Sequence, residues 1–440
     1  MILLMKKASK QLPIMLTACL LAVAGCSKTD TSESAATPVG ATPASVASPE
    51  SKATPKAGEK VKIEYFQQKT EIASKVDKLI SEFQEKNPNI IVEQNSVPNS
   101  MNVWTMRLST NDMPPVFNHY PHNAVFQKAA RDGSIVDLTN DPLLKDVQPA
   151  ILEMSKIDGK NYLVPIALAT LGVYYNEDMF KELNLSIPQT YSEFIETAEK
   201  IKAAGKVPFL FADKEVPAIN FSTATMMGVQ VPNAEKFFDD VMNGKVHITD
   251  NPDMKVFAKK IYDLRQFGQK NSLGVSREDR IREFANGKAA MFFEGIWSIQ
   301  PTKEANPNLK FAMFPLPAEK AEDTKVQVTV DTGIGLPKDG KNQQEARKFI
   351  EFMASKEAVE EYISTSQYPA AIKGVKNNAV ENKSLNDLIN DGKIYAPLSR
   401  KWPPGALDEF GAATQELIST GNIDNYLKKL DSIFYNKQTQ

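Results

Sequence analysis

Three tryptophans, three histidines and two cysteines among 440 residues leave few places where chemistry can concentrate. His119 and His122 stand three apart, as two zinc ligands might, yet no acidic or thiol companion nearby completes a set. His247 stands alone, and no G-x-S-x-G segment offers an activated serine. Gly335-Leu336-Pro337-Lys338-Asp339-Gly340-Lys341-Asn342 nearly spells a phosphate-binding loop. Asn342, however, stands where Ser or Thr would hold magnesium, and a proline interrupts the loop, so it reads as a turn before a helix. What remains is aromatic and polar. Trp297 closes the apolar run Phe292-Phe293-Glu294-Gly295-Ile296, and Trp402 sits in the proline-stiffened Lys401-Trp402-Pro403-Pro404-Gly405. Trp104 lies at helical spacing with Met101 and Leu108, which is the spacing of packing. Polar side chains gather after strands: Lys69 and Glu71, then Asn118, His119 and Tyr120, then Asp213, then Asp331. Aromatic faces beside a few charged or amide groups equip a site for binding through directional, charge-assisted hydrogen bonds.

The elements that must position these residues alternate. Val61 to Phe66 reads as a strand, followed by a helix with Ile72, Val76, Leu79, Ile80 and Phe83 on one stripe and stopped at Asn87-Pro88. Ile90-Ile91-Val92 opens the next strand, a helix surrounds Trp104, and Pro115-Val116-Phe117 is a third strand. Asp158-Gly159 predicts a hairpin turn between Ile157 and Tyr162. Thr190 and Glu193 form a capping-box pair for a helix that runs to Ala204, with Gly205 at its end. Strands are expected at Val207–Phe211, Ala289–Phe293 and Val326–Val330, and helices over 252–267 and 277–286. From Gln343 to Tyr435 the pattern is nearly all helical. Such alternation argues for parallel sheet and the α/β class. The body, about 380 residues, exceeds the size at which one core usually divides into two domains.

The N-terminus sets the compartment. Lys6, Lys7 and Lys10 precede an apolar run from Leu12 to Ala24, which is too short for the ~20 residues of a membrane span and reads as a secretory signal. Val23-Ala24-Gly25-Cys26 resembles a bacterial lipobox, which implies cleavage after residue 25 and lipidation of Cys26. The other cysteine, Cys19, lies within the signal, so the mature body is expected to hold no disulfide. Residues 26–60 carry prolines at 38, 43, 49 and 55 among Ser, Thr, Ala and Lys, the composition of a disordered tether. The signal takes three lysines and no acid with it, so the formal charge moves from −2 to −5. A mildly acidic chain of interspersed signs is unsuited to nucleic acid. Ser27 and the long tether point to the outer face of the cell membrane in a single-membrane bacterium.

The most specific internal stretch runs from Pro165-Ile166-Ala167 to Gly172-Val173-Tyr174-Tyr175-Asn176-Glu177-Asp178-Met179-Phe180-Lys181-Glu182. It resembles the signature of family 1 extracellular solute-binding proteins, the carbohydrate-binding components of ABC importers. Asp158 to Pro165, Phe284 to Met291, Gly295-Ile296-Trp297, Phe314-Pro315-Leu316-Pro317 and Glu345 to Phe352 follow in the family's order, so the resemblance covers about 61 to 440. Phe66-Gln67-Gln68-Lys69-Thr70-Glu71 resembles the multiple-sugar and raffinose subgroup.

The resemblance implies a two-lobed periplasmic-binding-protein-like fold of type II, with a hinge, an interlobe ligand cleft and a helical C-terminal part. It places one lobe at 61–168 plus 330–372 and the other at 169–329 plus 373–440. The crossings would fall near Pro165–Gly172, Glu322–Thr332 and Ala370–Val375. The implied partners are an oligosaccharide, of raffinose-type α-galactoside or α-glucoside kind, and the permease subunits of an ABC importer. The membrane would be met through the lipid alone, and the protein is expected to be a monomer without cofactor or metal. In such a site Trp297 is the expected sugar platform, with core filling as its alternative. Trp402 and Phe66 could be platforms or core. Asp331, Asn118, Lys69, Glu71, Tyr120, His119 and Asp213 are the candidate hydrogen-bonding groups. The rival readings are a surface-anchored glycoside hydrolase, in which two of Glu71, Asp331 and Glu294 would flank a bond about 5–10 Å apart, and the same fold serving a non-sugar ligand.

Overall fold

The computed structural model describes residues 60–69, 72–97, 99–364, 367–375 and 379–437. Glu71, Cys26, the signal and the tether lie outside the described residues. Eight strands form the sheet: β1 (Val61–Gln67), β2 (Ile90–Ser96), β3 (Val116–His119), β4 (Val164–Asn176), β5 (Met291–Gly295), β6 (Phe311–Phe314), β7 (Val326–Gly335) and β8 (Ile394–Tyr395). Their order is β2-β1-β3-β7-β4-β5, with β6 also on β4 and β8 on β7. The first helix, Ala73–Lys86, buries Val76, Leu79, Ile80 and Phe83 against the sheet, the stripe expected from its spacing. Each such burial removes apolar surface worth roughly 1.5–3 kcal/mol. Helices dominate from Gln343 onward, and β8 is the one strand there among the described residues.

The sheet is mixed, where the alternation argued for parallel pairing throughout. β2, β1 and β3 are parallel, with a helix between β1 and β2 and another between β2 and β3. β7 runs antiparallel to both β3 and β4, and β4 antiparallel to β5 and β6. Two long strands produce this change. β4 spans thirteen residues and β7 ten, so each pairs with different partners along its length. The strand expected at Val326–Val330 runs on to Gly335, and Gly333-Ile334-Gly335 pairs with β3. Between Pro165 and Leu168 the β4–β7 register slips twice, and Asp331 is left as the extra residue of β7 between Val330 and Thr332. There a third segment joins: Ala370 bridges Ala167 and Leu168 N–H donates to the Pro369 carbonyl at 2.8 Å.

One smaller expectation is corrected, and the expected hairpin turn is found over a short span. Val207–Phe211 runs beside β5 by isolated contacts rather than as a strand, with Phe209 bridging Met291 and Gly268. Pro208 has no N–H for a continuous ladder. Asp158 and Gly159 both adopt positive φ, at 50° and 80°, as a two-residue hairpin turn requires. Only Ile157 and Lys160 bridge across it, so the hairpin ends there.

Candidate ligand-binding site

One cavity, of about 490 Å³, is walled by aromatic side chains and bordered by a carboxylate: Phe221, Trp297, Trp402, Tyr120 and Asp331 all line it. A groove of about 610 Å³ lies elsewhere, between Gln148–Ala150 and Lys383–Gly392, but no aromatic side chain lines it. An aromatic-walled cavity with a few convergent polar groups is the arrangement that binds small ligands.

Trp297 is placed by β5. Glu294 and Gly295 end that strand fully buried, and the Tyr174 hydroxyl donates to the Gly295 carbonyl at 2.8 Å. The indole folds back over Gly295, where an added Cβ would stand 2.3 Å from its ring carbons. The glycine therefore serves the tryptophan rather than a ligand directly. Phe221 comes from the helix Val216–Gln230, whose residues Asn220, Phe221, Ala224 and Met227 face the cavity at helical spacing. Its ring centroid lies 5.1 Å from that of Trp297, inclined at 60°. Trp402 borders the cavity but packs its ring against Phe238, Phe410 and Phe434, leaving 9% of the residue exposed. It fills the core more than it offers a platform.

Asp331 owes its direction to the irregular register of β7. A bulged residue escapes the ladder and re-aims its side chain. Its carboxylate is held by the Lys69 ammonium and accepts from the Thr332 hydroxyl at 3.1 Å. Lys69 is itself buried, with its ammonium 4.7 Å from the centroid of the Tyr368 ring. Lys69 thus braces Asp331 from behind.

Of the remaining candidates, Phe66, Asn118, His119 and Asp213 are not brought to the cavity. Phe66 is fully buried with Trp104, Phe117 and Phe126, so it is core. Asn118 is buried and fixes the loop after β1: its Oδ1 accepts from the Gln68 N–H at 2.8 Å, and its carbonyl accepts from the Gln68 amide at 2.9 Å. His119 stacks on Phe126 at 4.8 Å and packs on Trp104 at 4.3 Å, while its Nδ1 accepts from the Tyr120 N–H. Burial pushes the imidazole down to about 3, so it is neutral at physiological pH. Asp213 is sealed in a two-pronged pair with Arg265, at 2.9 and 3.2 Å. Tyr120, two residues past Asn118, does reach the cavity. The sequence reading missed Phe221, Asn220 and Arg400, which also line it. Phe221 gave no signal, since its helix mixes apolar residues with Asn220, Ser222, Thr223 and Thr225 and shows no distinct apolar stripe.

Of the three carboxylates that a hydrolase could pair, Glu71 lies outside the described residues, and the other two are placed apart. Asp331 is the one carboxylate among the described residues lining the cavity. Glu294 is fully buried between Arg277 and Arg280. Among the described residues no group of His, Cys, Asp and Glu could hold a metal ion.

The family model for bacterial extracellular solute-binding proteins matches residues 67–360. The chain belongs to this family. The match agrees with the resemblance carried by the ordered sequence segments, and it is a family of binding proteins rather than enzymes. A multiple sugar-binding protein of Streptococcus mutans is 30% identical over 395 residues, covering 87% of this chain and 92% of that protein. The melibiose/raffinose/stachyose-binding protein MelE of Bacillus subtilis is 23% identical, covering 78% and 81%. Among solved structures, apo RafE from Streptococcus pneumoniae matches with a TM-score of 0.79 at 28% identity, over 87% of this chain and 99% of that one. RafE in complex with raffinose matches at 0.72 and 29% identity, over 86% and 99%. The solute-binding protein thus has the two-lobed fold of its family, with β4 and β7 as long strands shared by several partners. No helix among its described residues is long and apolar enough to cross a membrane.

Proposed function

We propose that this solute-binding protein captures an oligosaccharide in the aromatic cavity and delivers it to the permease of an ABC importer. The observation that carries the reading is the union of Trp297 and Asp331 on one cavity: an indole face for the apolar side of a sugar ring, and a braced carboxylate for its hydroxyls. Charge-assisted hydrogen bonds are about twice as strong as neutral ones, and the bracing by Lys69 means little order is lost on binding. The named ligands of the relatives, raffinose among them, support an α-galactoside or α-glucoside as the class.

Capture proceeds by closure. The segments at Pro165–Thr170, Val328–Gly333 and Pro369–Ile372 run side by side and serve as the hinge between lobes at 61–168 plus 330–372 and 169–329 plus 373–440. A ligand touching both lobes favours the closed form by its differential contacts. Lipidation of Cys26 and the tether after it keep the body on the outer face of the cell membrane, where the permease meets it at high local concentration.

A thermal-shift screen over raffinose, stachyose, isomaltotriose and maltotriose tests the reading, because a ligand that binds only the native state raises the midpoint. Trp297→Ala is expected to weaken the preferred sugar roughly 30-fold or more, equivalent to about 2 kcal/mol. Its apo midpoint should stay near that of wild type. Undiminished affinity for every sugar bound by wild type overturns the assignment of Trp297, and steady release of cleavage products overturns the binding role itself.

A further inference from the structure

We propose that Phe221 is a second stacking platform, and that the corner it makes with Trp297 selects ligands of two or more linked sugar rings. This rests on the oligosaccharide reading above and specifies which ligands satisfy it. Phe221 is half-buried and lines the cavity. The guanidinium of Arg277 lies 5.4 Å from its ring centroid. Arg277 is itself fixed, with its Nε donating to the Glu294 carboxylate at 3.1 Å and its backbone N–H donating to Glu215 at 3.2 Å. Glu294 is fully buried, and the same carboxylate oxygen also accepts from Arg280. The Phe221 ring is therefore held by an indole and by a guanidinium that a buried carboxylate anchors.

Geometry turns this corner into a measure of ligand length. A pyranose offers two broad faces that are parallel to each other. Aromatic planes inclined at 60° cannot both lie flat against one such ring. A monosaccharide therefore engages one platform, and a linked sugar, whose second ring is tilted at the glycosidic bond, engages both. The bland alternative is that Phe221 merely props Trp297 in place. A prop would affect sugars of every length equally.

The test uses the full-length protein and isothermal titration with raffinose and isomaltotriose as trisaccharides, and galactose and glucose as monosaccharides read by displacement at millimolar concentration. For the better trisaccharide, Phe221→Leu, which keeps bulk but loses the flat face, should lower affinity about tenfold, corresponding to about 1.4 kcal/mol. Phe221→Tyr should stay within about twofold, since only the platform face matters here. Monosaccharide affinity should be nearly unchanged in Phe221→Leu, and undetectable monosaccharide binding by wild type meets the same expectation. Arg277→Met, a positioning change, should give a smaller loss confined to the trisaccharide. Equal loss for both sugar sizes, or no loss in Phe221→Leu while Trp297→Ala is impaired, overturns this inference alone. Failure of wild type to bind any oligosaccharide overturns the functional reading and this inference with it.

Discussion

Asp331 and Asp213 look alike in sequence, since each follows an apolar, strand-like run, and in the structure each is paired with a cation. They differ in what surrounds the pair. Asp213 and Arg265 are sealed, with side chains 2% and 5% exposed, and Phe211 lies under the guanidinium with its centroid 4.0 Å away. Asp331 and Lys69 are 12% and 8% exposed, and Asp331 opens onto the cavity. Both pairs are fixed, but only one can lend its carboxylate to something else. A strand-end carboxylate can serve as a binding group when, like Asp331, it lines a cavity. When the cation closes the last opening, the pair becomes structure.

The largest expected effect separates the two most sharply. Asp213→Ala strands a buried guanidinium, and breaking a buried pair from one side costs about 3–5 kcal/mol. Urea unfolding should show that loss, while the folded fraction binds its sugar with wild-type affinity. Asp331→Asn should reverse the pattern. Loss of a hydrogen bond from a charged acceptor should lower sugar affinity by roughly 1.5–3 kcal/mol by titration calorimetry, with a stability change smaller than that of Asp213→Ala. An Asp331→Asn protein that binds normally, or an Asp213→Ala protein that is stable and binds poorly, would break the comparison.

A third buried polar group extends it to pH. The folded-state value of His119, about 3, lies below the ordinary 6.5. The unfolded state therefore takes up the proton first, and the stability that His119 contributes as a neutral group is present above about pH 6.5 and lost as pH falls toward 3. The slope is about 1.4 kcal/mol per pH unit from this group. His119→Phe keeps the stack on Trp104 and Phe126, and should flatten the acid-side fall between pH 6 and 4.5 by about that amount in unfolding titrations. An unchanged slope would show that the imidazole is not sealed. The smallest effect is the exposed pair of Lys62 and Glu93, whose side chains are 65% and 61% accessible. Glu93→Gln should cost less than about 1 kcal/mol and leave sugar binding untouched.

Much of this architecture is legible in the sequence because it is local. Periodicity marks Ala73–Lys86, Asn87-Pro88 ends it, and the positive φ of Asp158 and Gly159 follows from their residue types. Trp297 is legible too, since a glycine and a strand end frame it. The partners of the two aspartates are not. Lys69 is 262 residues from Asp331, and Arg265 is 52 from Asp213, so nothing near either carboxylate says which way it faces. Asn118, His119 and Tyr120 show the limit at close range. Successive side chains of a strand alternate between faces, and one apolar neighbour more or less decides whether a polar residue meets the cavity or the core. Phe221 is hidden because a single phenylalanine in a helix without a distinct apolar stripe resembles packing until the fold places it at the cavity.

The unequal burial of the three indoles has an optical consequence. Trp104 is wholly enclosed, and Trp402 nearly so, whereas Trp297 is partly open and stands at the cavity wall. Trp104 therefore emits from surroundings that an arriving sugar does not touch and supplies a steady background, while Trp402 borders the cavity with its ring packed on Phe238, Phe410 and Phe434. Trp297 trades water for a ring of the ligand when the site fills. The intrinsic emission of this protein is thus a site-specific gauge of occupancy, with its own internal reference, that needs no label.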